Sequence, residues 1–207
     1  MIQLQGGDAD LIAEASRQAI EAAEKSGALM FARGAHGFAA LASSRQGKHD
    51  QAGQGMERAK ALGEKIGGRL VLQDWLAVAN AELALNAGQH EEALKRSDNA
   101  LREAKSVGCI LTEGMGHRVR GHALSRLDVP RWDEADQSME QSLHLFEQGQ
   151  AHVESARTTQ AWGHVHHKRG NHAAARTHLE QAATQFEAYG LSAELAETRE
   201  LIDALPH

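Results

Sequence analysis

Turn-forming residues recur along this chain at almost fixed intervals. Gly7, Gly27, Gly47, Gly67, Gly88, Gly108, Asp128, Gly149, Gly170 and Gly190 follow one another every 20 or 21 residues. A chain punctuated in this way is assembled from short segments of equal length. Each segment reads as one amphipathic helix of about four turns, roughly 24 Å long. Glycine suits the end of such a helix, where the backbone commonly turns left-handed and a side chain is penalised. Two segments make a hairpin of 40 to 42 residues, and a period of this size means a solenoid.

Small residues keep step with the turns. Ala40, Ala81, Gly121 and Gly163 lie seven residues before a turn position. Ala52, Ala93 and Ala175 lie five after one, and Ala135 is displaced by a two-residue insertion around Val129 and Pro130. Ala59, Ala100, Ser142 and Ala182 come seven further on. These positions let helices approach closely, and a larger side chain would overpack the contact at about 1–3 kcal/mol.

The pattern resembles the tetratricopeptide repeat, with a small residue in the first helix of each unit and alanines in the second. The resemblance spans nearly the whole chain as a single domain, 1–207. It divides into a partial repeat at 8–27, hairpins at 28–67, 68–108, 109–149 and 150–190, and a terminal helix at 191–205. The unit is some six residues longer than the usual 34 and lacks the closing proline. Long units of this kind look like the repeat regions of bacterial multidomain regulators. HEAT and armadillo repeats share the period, but the Gly/Ala spacing favours the tetratricopeptide reading. The fold this implies is all-α: a right-handed superhelical solenoid of about ten antiparallel helices.

Composition narrows the function. Only 4% of residues are aromatic against 42% hydrophobic, so the helices pack through alanine and glycine. A net charge of −6 argues against nonspecific nucleic-acid binding, which needs a basic footprint. No apolar run approaches the roughly 20 residues of a membrane span, and the start has no signal-peptide pattern. A lone cysteine, Cys109, fits a reducing compartment, hence the cytoplasm.

Apparent catalytic motifs dissolve on inspection. Ser97-Asp98-Asn99 falls within a helix without its SxxK companion, and Leu94 stands where a His90-Glu91 zinc motif needs a second histidine. Gly114-Met115-Gly116 follows no strand. No nucleophile–base pair appears, so the chain reads as non-catalytic and without a cofactor.

Several packing expectations follow. Leu11, Ile12, Ala15, Ala19 and Ala22 form the apolar face of the opening helix, which Asp8 or Asp10 caps. Phe31 and Phe38 pack inside the first hairpin, and Gly53 and Gly55 make that hairpin the softest. Pro130 starts a helix. Leu195, Leu201, Ile202 and Leu205 turn inward, and the acids after Glu180 lie on a solvated face.

Thirteen histidines need sorting. His49, His90 and His172 sit two residues past a turn glycine, where the resembled family usually places an aromatic between helices; Trp132 takes that place in the third hairpin. They read as structural. His164, His167 and Lys168 share a helix face, and His122 holds the matching place one hairpin earlier. No cysteine or carboxylate motif completes a zinc set around them, so no metal is expected.

In the resembled family the first helices line a concave groove. Carried over, the groove positions of the last two hairpins include Arg118, His122, Arg126, Arg157, Gln160, His164, His167 and Lys168. Basic residues dominate these two helices, whereas the helix between them is acidic. Such sorting points to a protein-interaction scaffold holding an acidic peptide or protein segment, since arginines grip carboxylates in bidentate fashion. On this reading Arg118→Glu with Arg157→Glu abolishes binding and leaves the fold intact. The alternative is a ligand-sensing regulatory domain cut from a larger bacterial signalling or transcription regulator. The ends of a solenoid also offer a surface for homo-oligomers.

Overall fold

A computed structural model describes residues 9–67 and 71–206. All its regular structure among the described residues is helical: α1 (Ala9–Ser26), α2 (Leu29–Arg45), α3 (His49–Ile66), α4 (Gln73–Asn86), α5 (His90–Val107), α6 (Ile110–Arg126), α7 (Trp132–Gln148), α8 (His152–Lys168), α9 (His172–Ala188) and α10 (Ser192–Asp203). The chain divides into two compact units, one ending at Glu103 and the other beginning at Ala104. In the first unit α1 packs on α2, α2 on α3, and α2 also on α4. In the second, α6 packs on α7, α8 on α9, α9 on α10, and α6 also on α8. First helices (α2, α4, α6, α8, α10) alternate with second helices (α3, α5, α7, α9).

The turn glycines end the helices as their spacing requires. Gly27, Gly47, Gly67, Gly88, Gly108, Gly170 and Gly190 all have φ between 67° and 83°. At most of these the next amide reaches back to seal the helix end, as in Lys48 N–H to Ser43 O at 2.9 Å and Asn171 N–H to His166 O at 2.9 Å. Gly149 differs. Its φ is −84°, and Gln150 takes the left-handed place at φ 50°. A Cβ on Gly149 would lie 3.1 Å from Ile110 Cδ1, the end of a flexible, partly exposed side chain that can give way. Asp128 is not a left-handed turn either: Leu127 ends α6 in an extended conformation, and a five-residue link, 127–131, absorbs the insertion. Pro130 lies in this link, two residues before α7, and does not start the helix.

The small positions behave as spaced. Ala40, Ala81, Ala52, Ala93, Ala135 and Ala175 are buried, as are Ala59, Ala100, Ser142 and Ala182. A Cβ on Gly121 would fall 2.9 Å from Met139 Cε, and one on Gly163 would fall 2.7 Å from Leu179 Cγ. The core is accordingly thin, with Met56, Leu76 and Leu83 among alanines in the first unit and Leu179 and Phe186 in the second.

Four packing expectations need correction. The buried stripe of α1 is Ile12, Ser16 and Ala23, while Ala15, Ala19 and Ala22 are exposed and Leu11 is 58% exposed. The stripe runs at i, i+4 and i+11 through Ser16, a buried polar residue that an apolar pattern leaves out. Asp10 lies within α1 and not ahead of its first turn; Gly7 and Asp8 fall outside the described residues. Phe31 is 77% exposed, whereas Phe38 tilts onto Trp75 at 4.2 Å. His49 is exposed, whereas His90 and His172 are half-buried. In α10 the inward set holds: Leu195 packs on Phe186, and Leu201 and Ile202 pack beside Leu179 and Leu205.

Candidate functional site

The charged side chains of α6 and α8 converge on one buried acid. Glu154, at the start of α8, is 5% exposed. Arg118 Nη2 of α6 lies 2.7 Å from its Oε2, and Arg157 Nη1 lies 2.6 Å from its Oε1. Arg157 also reaches Glu194 of α10 at 2.7 Å. Arg118 donates to the backbone oxygen of Glu154 at 3.2 Å and lies over the Phe146 ring at 5.7 Å. Burial alone would raise the pKa of Glu154. The two guanidiniums outweigh it and hold the carboxyl down at about 2. Gln160 donates to Thr198 of α10 at 2.9 Å. Arg118, Arg157 and Gln160 therefore stitch neighbouring first helices together, and Glu194 is an internal partner instead of a solvated acid.

The first unit joins its first helices in a different way. Arg33 of α2 is buried and donates to Val71 O at 2.9 Å and to Gln73 Oε1. Both acceptors are neutral, and burial pushes the Arg33 pKa down. Arg45 pairs with Glu82 at 3.1 Å nearer the surface.

Three of the expected groove residues form a second cluster at the C-terminal ends of α6 and α8. His122 Nε2 lies 3.1 Å from Ala161 O, and its Nδ1 lies 2.7 Å from Arg126 Nη1. Two such partners fix a neutral ring that donates from Nε2 and accepts at Nδ1. Burial first, then Arg126 and His164, hold its pKa well below the usual value. His164 meets the His122 ring edge-on at 6.1 Å. Its pKa is lowered to about 4 by burial, Arg126 and His167. The expected approach of His122 to His164 is present. His167 turns instead towards His172, with ring centroids 5.4 Å apart. His167 and Lys168 are exposed. With both ring nitrogens engaged, His122 offers no lone pair to a metal. Among the described residues no three potential ligands gather.

Sequence reasoning missed a third cluster, on α7, α8 and α9. Trp162 stacks on His178 at 4.8 Å and His166 stacks on His178 at 5.1 Å, with interplanar angles of 21° and 7°. Trp162 Nε1 donates to Asp136 Oδ1 at 2.8 Å, and Arg169 donates to Asp136 Oδ2 at 2.8 Å. Desolvation lowers the pKa of both histidines, so the stack is neutral. The i, i+4 spacing of Trp162 and His166 was the available signal.

In the first unit a cleft of about 270 Å³ opens between α3, α4 and the start of α5. Its floor is Ala52, Met56, Leu83 and Ala84, and polar side chains form its rim.

No family model matches the chain, and no curated protein matches it. Among solved structures it is similar to the crystal structure of BtubC (BKLC) from P. vanneervenii, with a TM-score of 0.63 at 11% identity over 96% of this chain and 94% of that one. The likeness is one of helical, repeat-like fold.

Proposed function

We propose that this chain is a non-catalytic, tetratricopeptide-like interaction module. In this reading its antiparallel helix pairs form a right-handed solenoid, and it works in the cytoplasm by holding an acidic protein segment. The observation that carries the reading is the state of Arg126. Its guanidinium is half-buried and, among the described residues, meets only the neutral Nδ1 of His122. Burial pushes its pKa down. A desolvated cation without a carboxylate is costly unless an anion joins it, and four of its five N–H donors remain to grip one. Lys168 extends the same charge towards solvent. The binding edge is thus Arg126, His164, His167 and Lys168. Arg118, Arg157 and Gln160 support it by holding α6, α8 and α10 in register.

The test is fluorescence anisotropy with a labelled Asp/Glu-rich peptide. The double variant Arg126→Gln, Lys168→Gln keeps a hydrogen-bond donor at each site and spares the Glu154 network. Binding weakened by about tenfold or more, with an unchanged circular dichroism spectrum, supports the reading; each lost charge-assisted contact contributes about 1.5–3 kcal/mol. Equal binding by both proteins, or none by either, overturns it.

A further inference from the structure

The repeat register lets the cleft of the first unit be compared, position by position, with the ring cluster of the second. Counting from Ala52, Ala81 and Ala93 in one and from Ala135, Gly163 and Ala175 in the other, several places hold like residues. Met56 matches Met139, Glu57 matches Glu140 and Asp50 matches Asp133. The others diverge as a set. Gly53 stands where Asp136 does, Ala84 where His166 does and Ala87 where Arg169 does. Asn80 replaces Trp162, and Arg96 replaces His178. The second unit fills this space with its own stacked rings and closes it with the Asp136–Arg169 pair. The first unit leaves it empty: a Cβ built on Gly53 meets nothing within 4 Å.

What remains is prepared to receive a ring. Arg96 is pinned along its edge, with Nε donating to Glu92 Oε1 at 2.8 Å and Nη1 to Asn80 Oδ1 at 2.8 Å. That leaves the guanidinium face, which stacks well on aromatic planes, at the place where the His178 face receives Trp162. Met56, Leu83 and Ala84 supply an apolar floor. Asn80 and Gln89 supply donors and acceptors, and Asp50 and Glu57 on the rim disfavour an anion. The volume lies just below the roughly 300–1,000 Å³ of sites for drug-sized ligands. It suits one or two fused rings.

We infer that the cleft between α3, α4 and α5 is a binding site for a small, planar, neutral or cationic heteroaromatic molecule, whose ring takes the place that Trp162 and His166 occupy in the second unit. This site is separate from the acidic-segment edge and does not depend on it. It supplies a recognition element for the ligand-sensing alternative.

Adenine and indole serve as probes, added to the isotope-labelled 207-residue chain and followed by amide chemical shifts. Cyclohexanecarboxamide, of similar size but not planar, is the control. The variant Gly53→Leu projects a side chain into open space and replaces a helical glycine, so it folds at least as well as the parent. The expected result is saturable shifts confined to α3, α4 and α5 with either ring probe, weakened about tenfold or more in Gly53→Leu. Three results overturn the inference: no shifts from either ring probe at about 2 mM, equal binding by Gly53→Leu, or equal binding of the non-planar control.

Discussion

The α3–α4–α5 junction and the α7–α8–α9 junction are written on the same spacing of alanines and glycines, yet they are completed in opposite ways. The first is hollow, floored by alanine and methionine, and its neighbouring first helices are joined by a buried arginine on neutral acceptors and, nearer the surface, by the Arg45–Glu82 pair. The second is filled by three rings, and its first helices are joined through a buried carboxylate shared by two arginines. The backbone pattern therefore sets where helices approach. The residues between the small positions decide whether the gap becomes structure or site. In the second unit the buried carboxylate of Glu154 is matched within the chain. In the first, the space is left for something else.

The two units are expected to respond differently to equivalent damage. The largest effect is expected for Glu154→Gln, which leaves Arg118 without a carboxylate and Arg157 with Glu194 alone. Loss of one member of a buried ionic network costs about 3–5 kcal/mol. Gln73→Ala in the first unit removes one neutral acceptor and leaves Val71 O to Arg33, at about 1 kcal/mol. Hydrogen exchange read separately on peptides of each unit checks this; equal losses would erase the distinction. For the same reason Arg118→Glu with Arg157→Glu places new acids beside Glu154. It is expected to unfold the second unit instead of sparing the fold.

A smaller effect is expected at the rings. Trp162→Ala removes the largest ring of the stack and takes from Asp136 one of its donors, at about 2–3 kcal/mol for a half-buried tryptophan. Asn80→Ala, at the matching place in the first unit, is expected to cost about 1 kcal/mol through the loosened Arg96. A urea series on the two variants checks the order, and a reversed order would mean that the stack is ornamental to stability.

The pH dependence is next in size. His164 titrates at about 4 in the fold and at 6.5 when unfolded. The unfolded chain therefore binds more protons between these values, and stability falls as pH drops from 6.5 towards 4. Glu154 acts at lower pH. Its folded pKa of about 2 against 4.5 contributes stability that is present above 4.5 and lost as pH falls through 2. The first step is expected to be about 1–3 kcal/mol, and thermal melts of wild type against His164→Gln measure it. A variant with the same slope between pH 6.5 and 4 would remove His164 from the account.

Much of the architecture was legible because it depends on spacing. Left-handed glycines and buried alanines recur at fixed intervals, and at one turn Gln150 takes the left-handed place in the stead of Gly149. Pairing was not legible in the same way. Arg118 and Glu154 are 36 residues apart, whereas His122 and His164 are 42 apart. The first contact depends on how long side chains reach across adjacent helices, so a charge count per helix treated Glu154 as a minority acid and missed its role. The hollow junction was within reach. Writing Gly53 beside Asp136 and Ala84 beside His166 would have exposed the missing side chains.

The finest contrast lies within one helix. Gly53 and Gly55 of α3 both weaken the helix intrinsically, by about 1 kcal/mol each against alanine. Their surroundings differ. Gly53 faces open space, so Gly53→Ala is expected to stabilise the first unit by about 0.5–1 kcal/mol. Gly55 lies under α2: its Cβ would sit 3.1 Å from Ala40 Cβ and 3.3 Å from His36 O. Neither neighbour is a flexible side-chain end, so the helices must part, and overpacking of about 1–3 kcal/mol exceeds the gain in propensity. Gly55→Ala is therefore expected to destabilise, by about 1 kcal/mol. Urea midpoints that move in opposite directions for two changes one turn-half apart would show that the first of these glycines keeps a space open and the second lets two helices touch. Shifts of the same sign would mean that Gly53 is no more than a flaw in the helix, and that the hollow beside it needs another cause.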